Sequence, residues 1–292
     1  MATAISAFYG DIFPEVGGCP TPRVDVALID TLREFCAYTK IWKERLTPIS
    51  TMALEDATDI AFVDASPCTI TSTSSNFTTT GFAATDEIVT NQGSNDDDKN
   101  SNTGPYTLAI VAANTLTLAS TDSVADVDAG TNTYIAKSAY ALSHASGDIV
   151  EIEKPIYFDK EPVEERDIPW LNFNCPRWRY EMGSSPMFYN ADIQSKLLRL
   201  IPICDQAIEN AIEVWVYLKP SKTATTIEDF IVSEYQQAIS CGAMARLQKM
   251  KGTSWYDPKQ AQLNYSLYDA AKAQAWRKAR AGLTNFCGGM EA

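Results

Sequence analysis

His144 is the only histidine in the chain, so a Ser-His-Asp or Cys-His nucleophilic centre would have to use it as base. It stands in Ser143-His144-Ala145-Ser146-Gly147 with no nucleophile elbow, His-x-x-x-His pair or glycine-rich phosphate loop in the sequence, and it reads as a turn residue. Asp96-Asp97-Asp98-Lys99-Asn100-Ser101-Asn102 offers oxygen ligands at alternate positions, as calcium loops do. Ser101 occupies the place of the sharp-turn glycine and Thr107 that of the bidentate glutamate, so this stretch reads as a solvated loop. The seven cysteines, Cys19, Cys36, Cys68, Cys175, Cys204, Cys241 and Cys287, are scattered, odd in number and never spaced Cys-x-x-Cys. Reduced thiols without zinc follow. No catalytic residue, metal ligand or cofactor is expected, and the chain reads as a non-enzyme.

Two other groups carry the chemistry of binding. Lys272, Trp276, Arg277, Lys278 and Arg280, followed by Phe286, concentrate cations and aromatics near the C-terminus of an acidic chain. Complementing a helix dipole would account for the cations at roughly 0.3 to 1 kcal/mol each, while docking to an acidic partner groove would give them a function. Trp170, Arg177, Trp178 and Arg179 fall in a proline-rich stretch without periodicity, where Trp and Arg are more typical of interfaces than of cores. Packing beneath a long loop is the plainer alternative.

The elements that must position these residues divide by composition. At 292 residues, 45% of them apolar, the chain can bury a sizeable core, and a net charge of −13 argues against a sequence-independent grip on DNA phosphates. The N-terminus lacks the basic start of a secretory signal, and no run is long and apolar enough to span a membrane. Pro22 to Leu46 predicts a helix, with Leu28, Leu32, Phe35, Cys36 and Trp42 at threes and fours. From Ala53 the composition turns to threonine, serine, asparagine and aspartate. Tyr106, Leu108 and Ile110 alternate with Thr107, Ala109 and Val111, and Phe77, Phe82, Ile88, Leu116 and Leu118 would fill a small β core. Tyr140 to Leu142 and Ile149 to Ile152 read as strands, Leu197 to Pro202 and Ile212 to Leu218 as a hairpin, and Asp159 to Asn190 as irregular.

Thr225-Thr226-Ile227-Glu228 predicts a capped helix running to Met250, and Asp257-Pro258 another running to Gly282, with Gly252 in the turn between them. Small Ala238, Cys241, Gly242 and Ala245 would face Tyr265 and Tyr268 across an antiparallel hairpin. The expected fold class is α+β: a helical bundle of the N-terminal helix and the C-terminal hairpin, with a small antiparallel β-sheet or barrel. Residues 1-52 and 137-292 would form this core, and residues 53-136 an inserted all-β domain.

Glu34-Phe35-Cys36-Ala37-Tyr38-Thr39-Lys40-Ile41-Trp42-Lys43-Glu44, Leu198-Arg199-Leu200-Ile201-Pro202-Ile203, Leu218-Lys219-Pro220-Ser221, Gly242-Ala243-Met244-Ala245-Arg246-Leu247 and Trp255-Tyr256-Asp257-Pro258 follow one another in an order that resembles phage head-tail adaptors of the tail tubular protein A kind. The resemblance covers roughly residues 20 to 52 and 137 to 283. The segment outside it, with Thr80-Gly81-Phe82 and Gly104-Pro105-Tyr106, looks like a β module of phage structural proteins. The resemblance implies a virion protein made in the host cytoplasm and seated at the head-tail junction. Its copies would form a homo-oligomeric ring, commonly of twelve, between portal protein and tail nozzle protein, passing genomic DNA without sequence recognition, with a tail fibre as a further candidate partner. The portal would then take Lys272, Trp276, Arg277, Lys278, Arg280 and Phe286, and a neighbouring copy or the nozzle would take Trp170, Arg177, Trp178 and Arg179. A tail-associated binding module whose β insertion contacts a host glycan or a fibre is the alternative function, and a peptidoglycan hydrolase a third.

Overall fold

The computed structural model describes residues 2–92, 104–125 and 133–286. Five α-helices, α1 (Tyr9–Ile12), α2 (Thr21–Thr39), α3 (Ile168–Asn174), α4 (Asp229–Gln248) and α5 (Pro258–Phe286), accompany twenty strands in five sheets among the described residues. This corrects the expected α+β helical bundle with a small antiparallel sheet or barrel. The chain is a mixed α/β structure with several sheets, one of them a curled half-barrel. Strands that belong to different sheets follow one another in sequence, which alternation within a single segment cannot reveal.

By its internal contacts the chain forms two compact units. One comprises Met1–Glu44, His144–Ile152 and Val216–Ala292. Within it α4 packs against α1, α2 and α5, so Ile239 to Ala245 are buried all round. Gly242 makes this possible: a Cβ there would stand 2.5 Å from Thr31 Cγ2 and 2.8 Å from Tyr268 Cδ2, inside the contact distance of real carbon atoms. The Tyr268 ring fills the space a side chain would need, and its hydroxyl donates to Thr31 O at 3.2 Å.

Three helix boundaries differ from expectation for identifiable reasons. Helix α2 ends at Thr39, because Lys40 turns left-handed at φ 53°. Trp42, buried beyond it, leads into the strand Lys43–Arg45, which pairs with Trp215–Lys219. The capping box at Thr225 does not form, since Thr226–Glu228 is a strand paired with Ala2–Ala4, and Glu228 stands at the N-cap of α4 with no side-chain hydrogen bond to the helix start. Asp257 does cap α5, its Oδ1 accepting from the backbone N of Lys259 and of Gln260 at 3.0 Å each, and the helix extends beyond Gly282 to Phe286.

The other unit comprises Arg45–Ser143 and Glu153–Trp215. Its seven-stranded antiparallel sheet runs, edge to edge, Ala53–Ala57, Thr133–Lys137, Glu87–Gln92, Tyr106–Ala112, Thr115–Leu118, Thr69–Ser72 and Ile60–Val63. All seven strands send side chains into one cluster with Phe77, Phe82 and Val124, so the sheet curls around a single core. The predicted alternation holds for Tyr106 and Leu108 but reverses afterwards: a bulge between Leu108 and Ile110 leaves Ile110 exposed and tucks Val111 against the core.

A six-stranded sheet completes this unit, in the order Tyr140–Ala141, Leu197–Ile201, Phe188–Asp192, Glu161–Glu165, Ile156–Phe158 and Ile212–Glu213. The hairpin expected between residues 197–202 and 212–218 is therefore absent. Leu197–Ile201 pairs with Phe188–Asp192, Ile212–Glu213 with Ile156–Phe158, and Trp215–Lys219 with Asp148–Ile152. Ala53, Val89 and Ala136 of the curled sheet pack against Ile203, and Arg199 pairs with Glu87 at 3.1 Å. Glu161–Glu165 and Phe188–Asp192 run parallel, and parallel neighbours need a crossover of a dozen or more residues. Residues 166–187 are that crossover, so this stretch, read from the sequence as irregular, contains α3 and the strand Met182–Gly183.

Candidate interaction site

The crossover is built outward from two anchors. Asp167 caps α3, accepting from Trp170 N at 3.0 Å, and Pro169 sits in the first turn, where its missing N–H costs nothing. Leu171 is fully buried and packs with Trp178 and Ile201. The indole N–H of Trp178 donates to Asn172 Oδ1 at 2.9 Å, which satisfies its one polar atom and fixes the ring. Trp170 lies edge-on to Phe188 with ring centres 5.2 Å apart, and the Arg166 guanidinium covers it at 4.7 Å.

Of the four residues singled out here, the two tryptophans thus serve partly as anchors. Arg177 and Arg179 are exposed. Arg179 lies over the Trp178 ring at 5.0 Å, and neither arginine has an ion-pair partner among the described residues.

The same crossover exposes four large apolar side chains that sequence reasoning missed. Phe173 is 86% exposed, Met187 64%, Ile168 44% and Tyr180 42%. Large apolar side chains exposed within one short segment are candidates for an interaction surface. Phe173 carried a faint signal: it lies two residues after buried Leu171, which on a helix is nearly the opposite face.

Ile168, Trp178 and Arg179 of the crossover also line a cleft of about 260 Å³, together with Glu87, Pro105, Ser138, Arg199, Leu200 and Ile203. Glu87 is satisfied within it: Arg199 Nη2 lies 3.1 Å from Oε2, Arg199 Nε 3.4 Å from Oε1, and Ser138 Oγ donates to Oε1 at 2.8 Å. Nothing in the sequence linked Glu87 to Arg199, which are 112 residues apart.

The C-terminal cations are arranged differently. Lys272 is 7% exposed, with Nζ 3.0 Å from Glu34 Oε1 and 3.3 Å from Asp269 Oδ1, over the rings of Tyr38 at 4.9 Å and Tyr268 at 5.1 Å. Burial pulls its pKa down, but hydrogen bonding and attraction to Glu34 and Asp269 outweigh that and hold it above the ordinary value. Arg246 pairs with Glu34 as well, and Lys278 with Glu234. Arg280 stacks on Trp276 at 4.7 Å. Arg277 is exposed with no ion-pair partner among the described residues. Phe286 ends α5, while its side chain and residues 287–292, Cys287 included, lie outside what is described.

Ser146 N donates to His144 Nδ1 at 3.2 Å, leaving Nε2 to face Glu44 at 2.9 Å. Glu44 also accepts from the Trp42 indole at 2.6 Å, so the imidazole closes a local polar network. Burial pushes the Cys36 thiol up to about 12, far from a reactive thiolate. The Asp96 to Asn102 stretch lies outside the described residues, and among those described no group of three His, Cys, Asp or Glu could hold a metal ion. No helix among them is long and apolar enough to cross a membrane. No protein-family model matches the chain, and no curated protein matches it either.

Proposed function

We propose that the chain is a virion structural protein, a head-tail adaptor whose copies form a ring between portal and tail nozzle and extend the DNA channel. The observation that carries this reading is the exposed apolar and arginine surface on residues 166–187, held by buried Trp178 and Leu171. A rigid anchor beneath solvent-facing aromatics suits repeated protein contact. The helical unit supports the same reading, because α2, α4 and α5 pack closely at Gly242 and supply the stiffness a ring subunit needs. On this reading the portal is met by the outward cations of α5, chiefly Arg277 with Arg280 and Trp276. Lys272 contributes to the rigidity of the helices instead.

Electron microscopy of the full chain mixed with portal protein tests the proposal. A ring stacked on the portal is the expected result. Dispersed single subunits beside bare portals at micromolar concentrations would overturn it.

A further inference from the structure

We infer that the cleft between Trp178, Ile168 and Arg199 is a docking pocket for an acidic peptide segment of a partner protein, with one apolar side chain as its anchor and a carboxylate directed to Arg179. The inference deepens the reading of Trp178 and Arg179 as interface residues and rests on it. Size comes first. At about 260 Å³ the cleft falls below the roughly 300–1,000 Å³ of small-molecule sites, and it suits a single inserted side chain better than a whole cofactor. Five of its nine lining residues, Pro105, Ile168, Trp178, Leu200 and Ile203, are apolar and would receive the apolar anchor, while Glu87, Ser138, Arg179 and Arg199 make the rest of the lining polar.

Charge then selects the flanking residue. Glu87 is matched by Arg199 and Ser138, which leaves Arg179, over the Trp178 ring, as the lining group without an opposite charge among the described residues. Stacking orients a guanidinium and leaves its N–H edge free to hold a carboxylate in a bidentate pair. Arg177 stands two residues away and is likewise unmatched among the described residues. Nucleic acid fits less well: two cations on a chain of net charge −13 are few for phosphate binding, which gains affinity by neutralising many phosphates.

The test uses the full chain to select from a random octapeptide display library, followed by fluorescence titration of the recovered peptides and of a single-stranded dT8 oligonucleotide. Enrichment of sequences with Asp or Glu beside Leu, Phe or Trp is expected. Their affinity should fall at least tenfold in Arg179→Glu and in Ile168→Glu, two exposed positions whose variants should retain the wild-type Tm. Basic consensus sequences, no enrichment, preferential binding of dT8, or affinities unchanged in both variants would each overturn the inference. Rings on the portal without acidic-peptide binding would sink the inference alone, whereas peptide binding without rings would sink only the adaptor reading.

Discussion

Helix α5 and the 166–187 crossover are made from the same residue types, lysine or arginine beside tyrosine, tryptophan and phenylalanine, yet they use them oppositely. In α5, Lys272 is enclosed by two rings, matched by Glu34 and Asp269, and buried. In the crossover, Arg179 lies on one ring, has no matching carboxylate among the described residues, and faces solvent beside 86%-exposed Phe173. A cation on an aromatic face is therefore no marker of an interface by itself. Whether its charge is matched inside the subunit separates a structural clamp from a surface still open to a partner.

That comparison can be broken most sharply at Gly242. Gly242→Val should destabilise the helical unit by about 3 kcal/mol or more, because Thr31 and Tyr268 occupy the space of the new side chain. Chemical denaturation followed by circular dichroism measures it, and a wild-type midpoint would show that the helices can separate freely. Lys272→Ala should cost less, about 1 to 3 kcal/mol, since Glu34 remains partly solvated and keeps Arg246. The same lysine predicts the alkaline response. Its folded pKa lies above the ordinary 10.5, so its contribution is complete below pH 10.5 and is lost as pH rises through the folded value. Unfolding monitored between pH 9 and 12 should therefore show a smaller loss of stability in Lys272→Met than in wild type; parallel curves would remove Lys272 from the account. The smallest effects on folding belong to the crossover. Phe173→Ala and Arg179→Glu should change stability by no more than about 0.5 kcal/mol, yet weaken association with a partner; a clear fall in Tm would reassign these side chains to the subunit's own packing.

Asp59 offers a milder contrast in the curled sheet. Its carboxylate accepts from Ser72 Oγ, Thr73 N at 2.8 Å and Ser74 N at 2.6 Å, and these bonds, Ser72 foremost, hold its pKa well below the usual carboxylate range. Its contribution is present above the ordinary 3.8 and lost as pH falls through the depressed folded value. Asp59→Asn should therefore reduce acid sensitivity, and acid titration followed by tyrosine fluorescence checks it.

Local signals were read well where one short segment held the whole cause. The Asp257-Pro258 start of α5, the left-handed Gly252 and the close approach at Gly242 each follow from a residue type and its immediate neighbours. Phe77, Phe82, Ile88, Tyr106, Leu108, Leu116 and Leu118 meet in one cluster, as the period-two pattern implies. The bulge after Leu108 escaped notice because one extra residue reverses every later side chain without altering composition. The crossover shows no period in the sequence because its short helix and two-residue strand are too brief for one.

What the sequence determined by itself is the set of pieces: helices capped and broken at readable positions, strands with one apolar face, and cations gathered beside aromatics. Which strand met which was decided by the tertiary structure alone. Leu197–Ile201 found Phe188–Asp192 rather than Ile212–Leu218, and Thr226–Glu228 left its helix to pair with Ala2–Ala4. The reason is physical: a backbone hydrogen bond carries no residue label, so pairing is selected by the burial each arrangement achieves across distant parts of the chain. The same collective choice gave Lys272 its carboxylates and left Arg179 without one among the described residues.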